Sequence, residues 1–404
     1  MTGAAVLLRE LVGSTTLAFY RMGGDEPAVP VSMLGGRLVG PGPDGSAAQC
    51  AKTGTPVFEQ ELLSPVAAVF DCWYSQSAAE VDVKVEVVQH QHGCVNYASD
   101  GHWLHGWAEV DETSFEGSIH AAAQRAYADI FAVLASSATP HLLRLWNYLA
   151  DITSLADGEE RYRQFNAGRQ QAFADAQQSA FEGAPAACAL GHRGGPLRVY
   201  FLAGRQPPMV IENPRQVSAY RYPSDYGPRS PTFSRAAVVA LGGGSTVLFI
   251  SGTASIVGHL SMHPGDVRRQ TEETLTNIGT LCDEAVLNRR GAGLVAGTAS
   301  IIGHLSTHLG DVRRQTEETL TNIAVLCEEA ASRSGLDFAL CDLICTVYLR
   351  RGADLPAVRE VFEARVGVGS VAARQAIYVE ADICRADLLV EIEAQTFTLT
   401  KATP

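Results

Sequence analysis

Two periodicities take turns along the chain from about residue 80 onward. Residues 82–90, DVKVEVVQH, alternate apolar and polar side chains with the two-residue period of a strand. A second strand at 103–110 is placed to pair with them as a hairpin. Residues 118–135 switch to helical spacing, with Ala122, Tyr127, Ile130, Phe131 and Leu134 on one stripe. A strand (142–149), a helix (159–176) and a strand (197–202) follow. The C-terminal half has the same order. AAVVALGGGSTVLFISG reads as a hairpin turning at Gly242, Gly243 and Gly244. A helix over 266–285 then carries Leu275, Ile278, Cys282 and Ala285 on one face, behind an Asp266 cap that follows Pro264 and Gly265. CDLICTVYLR is a strand, 354–366 a helix, and 375–383 and 388–395 closing strands. Before residue 80 the pattern is weak, and only short strands near 37–39 and 65–74 are predicted. The expected class is α/β with mixed sheets, two halves of like topology packed together, divided as 1–230 and 231–404.

One stretch is written twice. Residues 252–285, GTASIVGHLSMHPGDVRRQTEETLTNIGTLCDEA, return at 297–330 with six differences in 34 positions and an offset of 45. Each copy reads as a strand end, a Gly/Ser/Thr/His loop and an amphipathic helix. Two copies are too few for a solenoid, which needs about three or more to share a core. One copy is therefore surplus to the like-topology scheme, and the pattern alone leaves open which. The first copy owns the long hairpin; counting back from the last strand puts the second in register.

Composition narrows the possible functions. A chain of 404 residues with 46 % hydrophobic and 19 % charged residues is globular. A formal charge of −13 argues against nucleic acid as a partner, because phosphate binding needs a basic footprint. No apolar run is long enough for a membrane span, and the N-terminus lacks the pattern of a secretory signal. Nine cysteines at scattered spacings suit free thiols in a reducing cytoplasm.

Against that acidic background, residues 215–235 hold four arginines (Arg215, Arg221, Arg229, Arg235) and one acid, Asp225, with three tyrosines, Tyr220, Tyr222 and Tyr226, among them. Arginine forks grip carboxylates and tyrosine hydroxyls orient them, so the segment suits a small anion. A solvated Pro-rich linker fits the same composition. In the last strand, LLVEIEA, Leu388, Val390, Ile392 and Ala394 face one way and Leu389, Glu391 and Glu393 the other. An acid facing an apolar cleft would stay protonated and act as a general acid. An edge strand showing its acids to water fits equally well. The pairs His259/His263, His304/His308, His90/His92, His102/His105 and Cys341/Cys345 lack completing ligands for a metal and read as structural.

Taken together, LFISGTASI, GDVRRQTEETLTNI, VYLR and LLVEIEA resemble the YjgF/Rid deaminase fold. With RLWNYLADI, ERYRQFNAGR and NPRQVSAYRYPSDYGPRSPTFSRA added, the chain from about residue 80 resembles the chorismatases, Rid-like enzymes that remove pyruvate from chorismate. The 45-residue duplication departs from that family. The resemblance implies two Rid-like halves and a cofactor-free reaction in a monomer that serves secondary metabolism. It makes Glu391 the general acid, with Tyr222, Arg235, Arg215, Arg161 and Tyr162 in motifs that hold the substrate. It also makes Gly252 or its copy Gly297, together with Cys384, the residues of the type that forms 3-hydroxybenzoate. The readings it leaves beside that one are the hydrolytic type that forms a dihydroxycyclohexadiene carboxylate, a non-catalytic carboxylate-binding protein, and Rid-type imine deamination.

Overall fold

Two seven-stranded sheets and a smaller four-stranded one organise the protein. A computed structural model describes residues 15–23, 33–39, 57–58, 61–63, 69–77, 87–192, 194–223, 227, 229–242, 245–288, 301–302, 305–306 and 339–399. The N-terminal stretch, where the pattern is weakest, supplies β1 (Thr15–Gly23), β2 (Met33–Val39), β3 (Val57–Phe58), β4 (Glu61–Leu62) and β5 (Val69–Ser77). Four of these pair in the order β1–β5–β2–β3 as the small sheet, while β4 leaves it to edge a larger one.

The first large sheet comes from β6 (Val88–His92), β7 (Val95–Ser99), β8 (Trp103–Val110), β9 (His141–Ala150), β12 (Ala186–His192) and β13 (Leu197–Gly204). Between them lie α1 (Ile119–Ser136), a two-stranded turn of β10 (Leu155–Ala156) and β11 (Glu159–Glu160), and α2 (Arg161–Asp175). The predicted pairing of 82–90 with 103–110 is corrected here. Gly93 takes a left-handed φ of 55°, which closes a tight turn from β6 into β7, and β7 is the strand that pairs with β8. Ser118 caps α1 by accepting from the Ala121 amide at 3.2 Å. The buried stripe of α1 contains all five side chains predicted for it.

The second large sheet follows from β14 (Met209–Ile211), β15 (Ala236–Gly242) and β16 (Ser245–Ala254). A small hairpin of β17 (Ile256–Val257) and β18 (Leu260–Ser261) leads into α3 (Val267–Asn288). After β19 (Ile301–Ile302) and β20 (Leu305–Ser306) come β21 (Ile344–Leu349), α4 (Leu355–Val366), α5 (Val371–Gln375), β22 (Ile377–Glu380), β23 (Asp382–Ile383) and β24 (Val390–Leu399). The two large sheets share a topology: β7–β8–β13–β9–β12 in one, β15–β16–β24–β21–β22 in the other. Each has a single parallel pair at the corresponding place, β9 with β12 and β21 with β22. Two strands cross over: β4 pairs with β22, and β23 pairs with β12.

Packing follows the alternation. Helices α1 and α2 cover the outer face of the first sheet around Leu104, Leu145 and Phe201. Helices α3, α4 and α5 cover the second around Leu248, Val347 and Ile392. The inner faces meet in a shared core of Tyr148, Leu190, Leu202, Val239, Phe249 and Tyr348, joined by Leu17, Leu34 and Trp73 of the small sheet. Burying each large apolar side chain contributes about 1.5–3 kcal/mol, so this shared core binds all three sheets. β24 lies inside its sheet, between β16 and β21, and not at an edge. Its Val390, Ile392 and Ala394 face the helices.

The fold uses the first copy of the repeat. β16 runs from the long hairpin straight into that copy, and α3 buries Leu275, Ile278, Leu281, Cys282 and Ala285. Most of the second copy, Gly297 included, lies outside the described residues. Its β19–β20 ladder repeats the first copy's, with Ile301 opposite Ser306 as Ile256 is opposite Ser261. Counting back along the chain from Glu391 pointed to the second copy. The neighbour of Glu391 is instead set by strand pairing, which places Ala254 opposite it.

Candidate active site

A cleft of about 450 Å³ opens where the two large sheets meet at the end of β24. It gathers six of the residues singled out in the sequence: Glu391, Tyr222, Arg235, Tyr162, Gly252 and Cys384. Each arrives from a different local cause. The β16–β24 pairing slips between Ile250 and Thr253, an irregularity that turns Gly252 toward the acid. Beside it, Ser251 ties the sheets together, donating to the Ser234 carbonyl at 2.5 Å and accepting from the Ala187 amide at 2.9 Å. A Cβ on Gly252 would lie 1.9 Å from Glu391 Oε1 and 3.1 Å from Cys188 Cβ, so this close approach requires glycine. Cys384 follows the crossover strand β23, which brings its Sγ to 3.9 Å from Glu391 Oε2.

The Tyr/Arg segment forms one wall. Arg235 Nη2 donates to Tyr222 Oη at 2.7 Å and to the Val217 carbonyl at 3.0 Å. Arg235 is 3 % exposed, and its Nε has no hydrogen-bond partner among the described residues. Tyr162 stands at the first turn of α2, where burial pushes its phenol up.

Arg161 and Arg215, from the same motifs, do not line the cleft. Consecutive helical residues point about 100° apart, so Tyr162 can face the cleft while Arg161 turns away. Arg161 Nη2 donates to both oxygens of Glu112 at 2.8 Å. Arg215 pairs with Glu273 at 2.7 Å and with Asn277 Oδ1 at 2.7 Å, pinning the Tyr/Arg segment to α3. Gly297 lies outside the described residues.

Several cleft residues were missed by the sequence reasoning: Arg385, Arg163, Glu160, Phe233 and Leu260. Arg385 lies over the Tyr222 ring at 5.2 Å and donates to the His259 carbonyl at 2.9 Å. It directly follows Cys384, and that adjacency was the one available signal. The loop that carries it is fixed by Arg350, which donates to Asp382 Oδ1 and to the carbonyls of Ile383, Arg385 and Leu388.

Glu391 is 3 % exposed. Burial, and then the charge of Glu393, raise its pKa to about 8 against the opposing pull of Arg144 and Arg235. Its neighbour behaves oppositely. Burial would raise Glu393 as well, but Arg37 and Arg144 outweigh it and bring the pKa down to about 2. Two carboxyls on one strand face thus hold different protonation states at neutral pH, the separation expected of an acid and a fixed charge. A protonated carboxyl in a cleft edged by Arg163, Arg235 and Arg385 can donate a proton to a small bound anion.

Comparison with known proteins fixes the relationship. Residues 80–203 match the family described as chorismatase FkbO/Hyg5-like, N-terminal. A 3-hydroxybenzoate synthase of Streptomyces hygroscopicus is 33 % identical over 84 % of this chain and 85 % of its own. A chorismatase of Streptomyces rapamycinicus is 35 % identical over 75 % of this chain and 77 % of its own. A crystal structure of a chorismatase superposes on 95 % of this chain and 99 % of its own, with a TM-score of 0.71 and 27 % identity. The chain belongs to the chorismatase family.

Proposed function

We propose that the protein converts chorismate into 3-hydroxybenzoate and pyruvate, with Glu391 as the general acid. The observation that carries this reading is a buried carboxyl facing a cleft edged by arginines, its pKa raised by that burial. Glu391 gives its proton to the methylene carbon of the enolpyruvyl ether. The bond from the ring carbon to the ether oxygen then breaks, its electron pair staying on oxygen, which becomes the ketone oxygen of pyruvate. The neighbouring ring hydroxyl oxygen closes onto the carbon that the ether has left, giving its proton to the Glu391 carboxylate and forming an epoxide. The epoxide opens at the carbon that first held the hydroxyl, and a hydrogen shift followed by enolisation leaves the aromatic ring with that same oxygen at the 3-position. Substrate and products contain the same atoms, so no water is consumed and the acid is regenerated.

Arg235, Tyr222 and Tyr162 are assigned to holding the substrate, with Arg385 and Arg163 supplying further positive charge for its two carboxylates. Arg161 and Arg215 brace the elements that carry these side chains. Gly252 and Cys384 leave room beside the acid and are assigned to steering the ring toward the aromatic product. Among the described residues the repeat's contribution to the cleft comes from its first copy, which favours an enzyme over a non-catalytic binder.

The test is Glu391→Gln, assayed with chorismate for pyruvate release. Turnover should fall by at least about a hundredfold, the lower end of what a positioned acid supplies. A variant within about threefold of the parent would overturn the assignment. The 3-hydroxybenzoate isolated from ¹⁸O-water should carry no label; a labelled diol would point to the hydrolytic type.

A further inference from the structure

The strand that carries Glu391 holds a second buried acid for which the reaction above has no task. Glu393 lies two residues along β24, on the same face. Its Oε1 accepts from Tyr348 Oη at 2.8 Å and lies 2.9 Å from Arg37 Nη1. Its Oε2 accepts from Arg144 Nη2 at 2.8 Å. Arg37 comes from β2 of the small sheet, where Asp71 holds it at 2.9 Å and Arg21 at 2.7 Å from the opposite side of the same carboxylate. Arg144, on β9, is 2 % exposed and stacks 5.3 Å from the Trp146 ring centroid. Its Nη1 is buried with no hydrogen-bond partner among the described residues. Arg144 is therefore a cation with one arm engaged and one arm spare.

We propose that Glu393 is a positioning residue of the reaction: with Arg37 as its second cation, it engages Arg144 so that this guanidinium does not pair with Glu391. The inference rests on Glu391 as the acid. An ion-paired Glu391 would be a carboxylate at neutral pH, with no proton to give. Among the described residues, the charged and titratable groups that face Glu391 are Glu393 on its own strand, Arg144 and Cys188 from the first sheet, Tyr162 from α2, and Arg235 and Cys384 from the cleft walls, with Glu160, Arg163, Tyr222, Arg385 and Asp387 around the same cleft. Among them, Glu393 is the acid that can occupy Arg144. The small sheet acquires a purpose as well, since it delivers Arg37.

The experiment follows the Glu391 carboxyl directly, by carbon NMR of the full chain labelled at glutamate side-chain carboxyls, with Glu391→Gln identifying the signal. In the parent protein the signal should titrate near pH 8. In Glu393→Gln the freed Arg144 should pull the titration at least about one pH unit toward acid, a tenfold change in the proton equilibrium. In Arg144→Met the titration should move the other way. The alkaline limb of kcat/KM against pH should follow each shift, whereas a merely structural role would change KM or yield and leave the limb in place. A parent signal that titrates below pH 5 overturns the inference without any variant. So does an unmoved signal in Glu393→Gln, or a shift in the same direction in both variants. Should Glu393→Gln not fold, the absence of an alkaline shift in Arg144→Met decides against it. If Glu391→Gln retains turnover, the general-acid reading falls, while the titrations still report whether Glu393 controls the pairing.

Discussion

Glu391 gives the chain a pH signature of its own. Its pKa is raised on folding from 4.5 to about 8, so its contribution to stability is fully present below about pH 4.5 and is lost as pH rises through about 8. Glu393 has the opposite sign: its contribution is present above about pH 4.5 and is lost as pH falls toward 2. Thermal melts of Glu391→Gln and the parent should therefore coincide near pH 4 and separate above pH 8, with the variant the more stable by a few kcal/mol. Coincident melts at both ends would refute the raised pKa. Turnover should fall with increasing pH across the same upper range.

Gly252 and Cys384 carry a different expectation. A methyl group at Gly252 must displace the acid's oxygen, so Gly252→Ala combined with Cys384→Val should shift product toward the non-aromatic diol. An unchanged product ratio, measured by chromatography, would remove both residues from the steering role. At this scale the sequence was informative where a side chain's direction follows from period, as with Glu391 and Glu393. It was silent on Arg37 and gave for Arg385 only its adjacency to Cys384, because the partners of both lie far away along the chain.

At the scale of elements, the loop between β23 and β24 decides how well the cleft is kept. Arg350 reaches it through one carboxylate and three carbonyls, a fan that only a guanidinium can span. Arg350→Lys keeps the charge and loses the fan. KM for chorismate should rise about tenfold with kcat changed much less, because the loop carries Arg385 and Cys384 while Glu391 stays in its sheet. Equal losses in both constants would mean that the loop also shapes the transition state. The four long helices and most interior strands were legible to within a few residues, since each has a strong stripe or alternation. β12 was not, because its AACALGH is buried along its whole length and shows no alternation. β7 was not, because VNYAS is short and half polar, and its existence rests on the left-handed Gly93 turn. The slip at Gly252 was also invisible, because it arises from pairing with β24 rather than from local sequence.

At the scale of the whole molecule, the like order of elements in the two halves was readable and the strand orders agree with it. The choice between repeat copies was not. Two stretches that differ at six of 34 positions offer the same helix stripe, and it is the long hairpin that runs into the first copy in the fold. The first 80 residues were the least legible part, yet they complete the central core and supply Arg37.

The two exchanged strands have a consequence for how the molecule comes apart. β4 is sewn into the second sheet and β23 into the first, and both sheets press on one core. Neither half can melt and leave a finished surface on the other. Unfolding in denaturant should therefore be a single cooperative transition. Loss of helix signal, exposure of the core tryptophans and loss of catalysis should fall on one curve, and a plateau between two transitions would show that the stitches do not hold.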